Sequence, residues 1–172
     1  ITHYSSLDLI SLKKPLKEDQ VNGMHSLNQE NIPEVGDVSD LVDFQLLLDF
    51  SEHILCFKDK GVVIGFVLCM REGQSYQSEN YKYLSSRFSS FLYVDRIAIQ
   101  QEYRRLGLGE KIYLELFSIA KKQGLDILCE VNTKPRNEPS KLFHKKMGFK
   151  EIGTNDFEKN SVVYLKKTII GT

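Results

Sequence analysis

The sequence predicts a mixed α/β fold in which helices cover one β-sheet, and two observations carry this prediction. "HILCFKDKGVVIGFVLCM" (His53–Met70) holds two apolar runs on either side of a tight polar turn, which is the pattern of a β-hairpin. "FLYVDRIAI" (Phe91–Ile99) and "DILCEVN" (Asp126–Asn132) are strand-like runs separated by a helical pattern, so we expect a right-handed βαβ unit with parallel strands. The sheet therefore combines antiparallel and parallel pairing.

The remaining elements follow from apolar spacing and turn residues. The segment from Arg71 to Ser90 is polar and rich in serine and tyrosine, and its length predicts a loop that lines a site. No linker or internal repeat interrupts the chain, so residues 1–172 are predicted to form a single domain. Further strands are predicted over Ser6–Lys14, in "FKEIG" and in "SVVYLKK", and helices over residues 15–31, from a cap at Ser39 or Asp40 to Phe50, over 108–124 and over 137–147.

The composition narrows the partners and the compartment. Lys plus Arg equal Asp plus Glu at 23 each, which argues against nucleic acid or a membrane surface as the main partner. The longest apolar run, Gly61–Met70, is about half of the ~20 residues that span a bilayer. The three cysteines lie among apolar neighbours and lack metal-ligand spacing, which predicts reduced core thiols, no metal site and a cytoplasmic protein.

A glycine-containing turn, "RRLGLGEK", stands at the beginning of the third helix. Gly107 and Gly109 let the backbone bend and approach a ligand, and the helix that follows offers free N–H groups to an anion. A phosphate-binding P-loop would need Lys where Glu110 stands, and a dinucleotide-binding turn would need Gly where Ile112 stands. The turn alone leaves open whether it binds a phosphate or only begins a helix.

Together, "VDRIAIQQEYRRLGLG" and "NEPSKLFHKKMGF" resemble the two cofactor motifs of the GNAT superfamily of acyl-CoA-dependent N-acetyltransferases. Arg104, Gly107 and Gly109 match the Q/R-x-x-G-x-G/A turn of that family, and Asn137 stands eleven residues before Gly148, as in its N-(x)10-G-F stretch. The resemblance covers residues 91–153. It implies the GNAT fold, a single mixed and largely antiparallel sheet with a splayed parallel βαβ pair and helices on both faces.

The resemblance also implies a function. An N-acetyltransferase of this kind transfers an acetyl group from acetyl-CoA directly to a primary amine of a small acceptor, without a metal. The alternative is a catalytically inactive acyl-CoA-binding sensor or interaction module, because His144 stands where the family usually has a tyrosine that protonates the leaving thiolate. Nucleic acid and membrane partners are not expected, and a homodimer is left open.

The residues that the resemblance assigns to coenzyme A fall into three groups. Main-chain groups on the strand before the turn are expected to meet the pantetheine arm, and the turn is expected to hold the pyrophosphate. Side chains of the last helix, together with Asn132 on the strand before that helix, are also expected at the cofactor. Asn137 and Ser140 have an alternative role as caps of that helix. The full cofactor set is Ile97, Ala98, Ile99, Arg104, Arg105, Leu106, Gly107, Leu108, Gly109, Asn132, Asn137, Ser140, Phe143 and His144.

Aminolysis of a thioester needs a neutral amine and a proton for the departing thiolate. Asp95 lies on the strand face of Ile97 and Ile99, where some family members carry a glutamate base; the alternatives are an amine anchor or an ion pair with Arg96 or a lysine. His144 is the predicted acid, unless it lies on the helix surface among lysines. Tyr93, Tyr113 and the tyrosines of "YQSENYKY" are alternative donors. The predicted acceptor site comprises Tyr76, Ser78, Asn80, Tyr81 and Asp95, and for the first four the alternative is a solvated polar loop.

Overall fold

The structure, a computed structural model, describes residues 7–169. Its elements in chain order are β1 (Leu9–Ser11), α1 (Glu18–Glu30), α2 (Leu41–Phe50), β2 (His53–Asp59), β3 (Val62–Arg71), α3 (Glu79–Ser85), β4 (Leu92–Ile99), a 3₁₀ turn (Gln101–Tyr103), α4 (Leu108–Gln123), β5 (Ile127–Lys134), α5 (Glu138–Lys146), β6 (Lys150–Asp156) and β7 (Ser161–Lys167). Ser6, at the start of the predicted first strand, lies outside the described residues.

The described strands form a seven-stranded sheet in the order β1-β2-β3-β4-β5-β7-β6. The pairs β1–β2, β2–β3, β5–β7 and β6–β7 are antiparallel, and β4 pairs with β5 in parallel. The parallel register joins Leu92 to Ile127 and Tyr93 to Leu128, which are the first two residues of each strand. The predicted mixed, largely antiparallel sheet with a parallel βαβ pair is confirmed.

The chain divides into two compact units, here called the first and second units. The first takes Ile1–Met70 with Asp95–Leu114, and the second takes Arg71–Val94 with Glu115–Thr172. Strand β4 and helix α4 are each divided between the two units. The single domain over residues 1–172 stays a prediction.

The core of the first unit contains β3, in which every residue from Val63 to Met70 is buried. Phe44 of α2 and Phe66 of β3 meet edge to face, with ring centroids 6.2 Å apart. The predicted hairpin turn is confirmed: Lys60 and Gly61 both have positive φ, 51° and 80°, as a tight two-residue hairpin loop requires. The predicted cap of α2 is Asp40, whose carboxylate accepts the Val42 N–H at 2.9 Å.

The second unit corrects one prediction, because the segment expected to be a loop over residues 71–90 contains helix α3. Ser78 caps this helix by accepting the Tyr81 N–H at 3.4 Å, and Tyr81 and Leu84 are buried at i and i+3. Seven residues give too few turns for a helical period to stand out in the sequence. The core of this unit holds the consecutive buried runs of β5 and β7, residues 127–129 and 162–165.

All three cysteines are free and buried, as the sequence predicts for core thiols. Burial raises the pKa of the Cys56 thiol, so this group stays protonated at neutral pH. Within residues 7–169, no helix combines the length and the apolar character that crossing a bilayer requires.

Candidate active site

The glycine turn of the first unit forms a short left-handed backbone segment. Arg105 and Gly107 have φ of 62° and 81°, and the Lys111 N–H donates to the Gly107 carbonyl at 3.1 Å, which closes the first turn of α4. A Cβ built at Gly107 would meet no atom within 4 Å, so the space in front of the turn is open. The first N–H groups of a helix have no intrahelical acceptor, and those of α4 follow this turn directly.

This geometry suits an anion. Successive backbone N–H groups in a turn with left-handed residues form a concave donor surface, and the positive end of the α4 dipole lies at the same place. Leu108 is buried and fixes the helix, whereas Arg105 and Leu106 are exposed. Of the predicted pyrophosphate-binding residues of the turn, Arg105, Leu106 and Gly107 are therefore contiguous and exposed. Their backbone fits a phosphate group, while the binding itself stays a prediction.

Arg104 has a structural role that the sequence did not indicate. Its Nε donates to the Ile99 carbonyl at 3.2 Å, and its Nη2 donates to the Asn31 side chain. Asn31 is buried at the end of α1 and its own amide donates to the Leu27 carbonyl at 2.8 Å. Arg104 thus ties the turn to β4 and α1, and it uses the Ile99 carbonyl that the resemblance assigned to the pantetheine arm.

Asp95 lies in an ion pair with its neighbour. Asp95 Oδ2 is 2.6 Å from Arg96 Nε, and the two side chains are 3% and 9% exposed. Arg96 Nη1 also donates to Asn28 Oδ1 at 2.9 Å and to the Gly36 carbonyl at 3.1 Å. This is the ion pair with Arg96 that the sequence left open as an alternative, while a role for Asp95 as base or amine anchor stays a prediction.

In the second unit, His144 of α5 is buried, 8% exposed, between Phe143 and Phe149. Its Nδ1 donates to the Ser140 carbonyl at 2.7 Å, because a carbonyl oxygen can only accept. Burial lowers the pKa of His144, and the hydrogen bond to Ser140 opposes this only in part. The imidazole is therefore neutral near pH 7, and it does not lie on the surface with Lys145.

The other predicted cofactor residues of this unit differ in their contacts. Asn137 stands at the N-cap position of α5, yet its side chain makes no capping hydrogen bond, so capping does not account for it. Asn132 Oδ1 accepts from Asn160 Nδ2 at 3.1 Å. Ser140 is half-buried and its hydroxyl is 3.4 Å from His144 Nδ1.

The segment around α3 is held by its own hydrogen bonds. The Tyr81 hydroxyl donates to the Arg71 carbonyl at 2.7 Å and accepts the Gln74 N–H at 3.0 Å. Glu72 accepts the Phe91 N–H at 3.1 Å and pairs with Arg71 at 3.0 Å, so the two ends of the segment are joined. Burial acts to raise the pKa of Glu72, but these hydrogen bonds outweigh it and lower the pKa. The predicted alternative of a simple solvated loop does not describe this segment.

Two more of the predicted acceptor residues also have intramolecular contacts. Asn80 Oδ1 accepts the Tyr164 hydroxyl at 2.8 Å. The half-buried ring of Tyr76 lies 5.6 Å from that of Tyr81, centroid to centroid. Direct contact of these side chains with an acceptor stays a prediction.

Sequence reasoning missed Glu130, a half-buried carboxylate on β5. The Tyr93 hydroxyl donates to Glu130 Oε1, and Glu130 lies opposite Tyr164 in the β5–β7 register. Burial raises the pKa of Tyr164, and the Glu130 charge adds to that shift. The signal was available, since a carboxylate within "DILCEVN" is as unusual in a buried strand as Asp95 is in its own strand.

Comparison with known proteins agrees with the observed fold. The model of the acetyltransferase (GNAT) family matches residues 21–149. A comparison with curated proteins finds no match. Among solved structures, the chain resembles the ribosomal-protein-S18-alanine N-acetyltransferase from Escherichia coli, with 13% identity, 96% of both chains covered and a TM-score of 0.72.

Two further structures show the same fold. An N-acetyltransferase from Staphylococcus aureus Mu50 is 17% identical over 95% of this chain and 99% of the other, with a TM-score of 0.68. Naa50 from Arabidopsis thaliana, in complex with the bisubstrate analogue CoA-Ac-MVNAL, is 17% identical over 95% of this chain and 99% of the other, with a TM-score of 0.69. Family membership supports the predicted cosubstrate, acetyl-CoA. Because the family model spans three quarters of the sequence, the chain belongs to the GNAT family of acetyltransferases.

Proposed function

We propose that this chain is an N-acetyltransferase that transfers an acetyl group from acetyl-CoA to a primary amine by direct attack. The observation that carries the proposal is the open, left-handed turn at Arg105 and Gly107, placed at the N-terminus of α4 in a member of an acetyltransferase family. The backbone of this turn suits a phosphate-bearing ligand, and coenzyme A supplies both a pyrophosphate and an activated thioester.

The residues proposed to hold acetyl-CoA are the predicted ones, with a refined role for Arg104. The amides of Arg105 to Gly109 bind the pyrophosphate, and the strand residues from Ile97 to Ile99 line the pantetheine arm. Arg104 acts through the backbone that it holds at Ile99, since its guanidinium donates there and to Asn31. Asn137 stays a predicted cofactor residue, and no capping hydrogen bond engages its side chain.

For the acceptor amine we assign the base to Glu130. The amine nitrogen forms a bond with the thioester carbonyl carbon, the carbon–sulfur bond breaks, and the amine loses a proton to the base. Glu130 is half-buried and accepts a hydrogen bond from the Tyr93 phenol. Asp95 lies 2.6 Å from the Arg96 guanidinium and its side chain is only 3% exposed, so an incoming amine reaches it less easily than it reaches Glu130.

The departing thiolate takes its proton from His144 in the sequence-based proposal. Only the imidazolium could serve, because the neutral ring already donates its Nδ1 proton to Ser140. Burial disfavours the imidazolium, and this observation favours the second candidate function, an acyl-CoA-binding sensor without turnover.

The cytoplasmic location and the homodimer stay predictions.

The most specific part of the proposal is the size of the acceptor. The sequence predicts a small amine, whereas the compared structures include an enzyme named for a ribosomal-protein alanine and one bound to a peptide-based analogue. The amine panel should therefore contain polyamines and amino acids beside short peptides with free N-termini. Preferred turnover of peptides would contradict the small acceptor without contradicting N-acetyl transfer.

The test follows thiol release from acetyl-CoA with each amine. We expect Glu130→Gln to lower kcat by about 10²-fold, the usual contribution of a general base, and Glu115→Gln, at an exposed position of α4, to leave it unchanged. A large loss in Asp95→Asn with an active Glu130→Gln variant would return the base to Asp95. Coenzyme A binding without turnover of any amine would favour the sensor.

A further inference from the structure

Helix α3 is seated on β7 through one face. Asn80 and Tyr83 of α3, with Arg87 just after the helix, stand at i, i+3 and i+7; the first two contact Tyr164, and Arg87 contacts Tyr83. The Tyr83 ring is stacked on the Tyr164 ring with centroids 3.9 Å apart and planes at 10°. The Arg87 guanidinium carbon lies 3.5 Å from the Tyr83 centroid, and the Tyr164 hydroxyl donates to Asn80. The Tyr83 ring is thus covered on both faces.

Gly153 of β6 lies beside this stack, opposite Tyr164 in the β6–β7 register and next to a register shift. A Cβ built at Gly153 would overlap the Tyr83 hydroxyl oxygen, and it would lie 3.4 Å from Tyr83 Cζ. No other residue type fits while Tyr83 keeps its place.

The backbone does not explain this glycine. Its φ lies outside the left-handed region, so any residue could adopt its conformation. Glycine weakens a strand by roughly 0.5–1 kcal/mol relative to alanine, and in a strand it often marks a close approach by another group. The close approach here is that of Tyr83, whose ring cannot swing aside without leaving Tyr164 and Arg87.

We propose that Gly153 is a positioning residue for acceptor binding. By leaving room for the Tyr83 hydroxyl it seats α3, and with α3 the segment from Tyr76 to Tyr81 that is predicted to wall the acceptor site. This inference rests on the proposed function. Gly153 itself contacts neither acceptor nor cofactor in this proposal, since it acts through Tyr83.

A double-mutant cycle tests the inference. Gly153→Ala is expected to raise the KM for the acceptor about tenfold, to leave the Kd of coenzyme A unchanged, and to speed amide exchange in α3 about tenfold. Adding Tyr83→Phe removes the overlapping oxygen and keeps the stacked ring, so the double variant should regain both the acceptor KM and the exchange protection. Gly36→Ala adds the same methyl group where the nearest atom, Arg96 Nη2, is 3.9 Å away, and it should change neither.

The outcomes separate the two proposals. The positioning role is overturned, and the proposed function stands, if the unaltered chain turns over but Gly153→Ala changes neither the acceptor KM nor the amide exchange in α3. The same conclusion follows if Gly153→Ala does change them but Tyr83→Phe does not restore them. An equal loss of coenzyme A affinity in Gly153→Ala would also overturn it, because a general folding defect would then explain the change. Absence of turnover in the unaltered chain would overturn the proposed function, and the acceptor role with it.

Discussion

At the scale of single residues, the contacts of polar side chains decide which predicted roles are chemically available. Arg104 and Asp95 were assigned to ligand and chemistry from their place in the sequence, yet the structure engages both within the first unit. His144 is buried and donates to Ser140, whereas Glu130, which the sequence reading passed over, accepts a hydrogen bond from the Tyr93 phenol. Residue type and spacing identify candidates, and hydrogen-bond partners rank them.

The burial of His144 makes stability depend on pH. Its pKa in the folded chain lies below the ordinary 6.5 that applies to the unfolded chain. Between these two values the unfolded chain binds a proton that the folded chain does not, so the free energy of unfolding decreases as the pH falls below about 6.5, by at most ~1.4 kcal/mol per pH unit.

The measurement is urea unfolding of the unaltered chain and of His144→Gln between pH 8 and 5. As the pH falls, the unfolding free energy of the unaltered chain should decrease relative to that of His144→Gln, because glutamine does not titrate. Parallel curves over the whole range would show that His144 does not carry this dependence.

At the scale of elements, the long helices and the hairpin follow from local chemistry, whereas α3 does not. Asp40 caps α2 and Gly61 turns the hairpin, and both signals are readable from neighbouring residues. Helix α3 is short, and its place is fixed by the Tyr83–Tyr164 stack and the bond between Asn80 and Tyr164, whose partners are some eighty residues apart in sequence. Local patterns cannot report such contacts.

The proposed pyrophosphate site at the turn before α4 can be tested by substituting Gly107, with a second glycine of nearly the same φ as the control. Gly107→Glu should weaken coenzyme A binding by about ten- to hundredfold, because a carboxylate would stand where the pyrophosphate is proposed to bind. Gly61→Glu is the matched control, since Gly61 has φ of 80° beside 81° for Gly107 and a Cβ at either would meet nothing within 4 Å.

Calorimetric titration with coenzyme A measures both variants. The backbone cost of placing a side chain at positive φ, about 1 kcal/mol, applies to both and should lower their stability alike. Equal coenzyme A affinities for the two variants would contradict a pyrophosphate site at the turn.

At the scale of the whole molecule, burial of apolar side chains is the main source of stability. The run from Val63 to Met70 is buried throughout, which is the pattern of an inner strand covered on both faces, and the sheet order places β3 between β2 and β4. Phe66 has no exposed surface, and Leu142 on α5 is 65% exposed.

Phe66→Ala should therefore lower the free energy of unfolding by about 3–5 kcal/mol, through lost burial and the cavity left against Phe44. Leu142→Ala should change it by less than about 0.5 kcal/mol, because that side chain is already in water. Chemical denaturation followed by circular dichroism measures both. A loss below 1 kcal/mol for Phe66→Ala would mean that this core position collapses freely or is not packed as described.

By itself, the sequence determined the family, the mixed sheet, the hairpin, the parallel βαβ pair and the position of the glycine turn. These features depend on neighbouring residues, on apolar periodicity and on two motifs with fixed spacing, so they are written in short stretches of sequence. Only the tertiary structure decided that Asp95 pairs with Arg96, that Arg104 holds the turn, that Glu130 meets Tyr93 and that Gly153 makes room for Tyr83. The physical reason is that hydrogen bonds and close packing depend on distances in space, and most of these partners lie far apart along the chain.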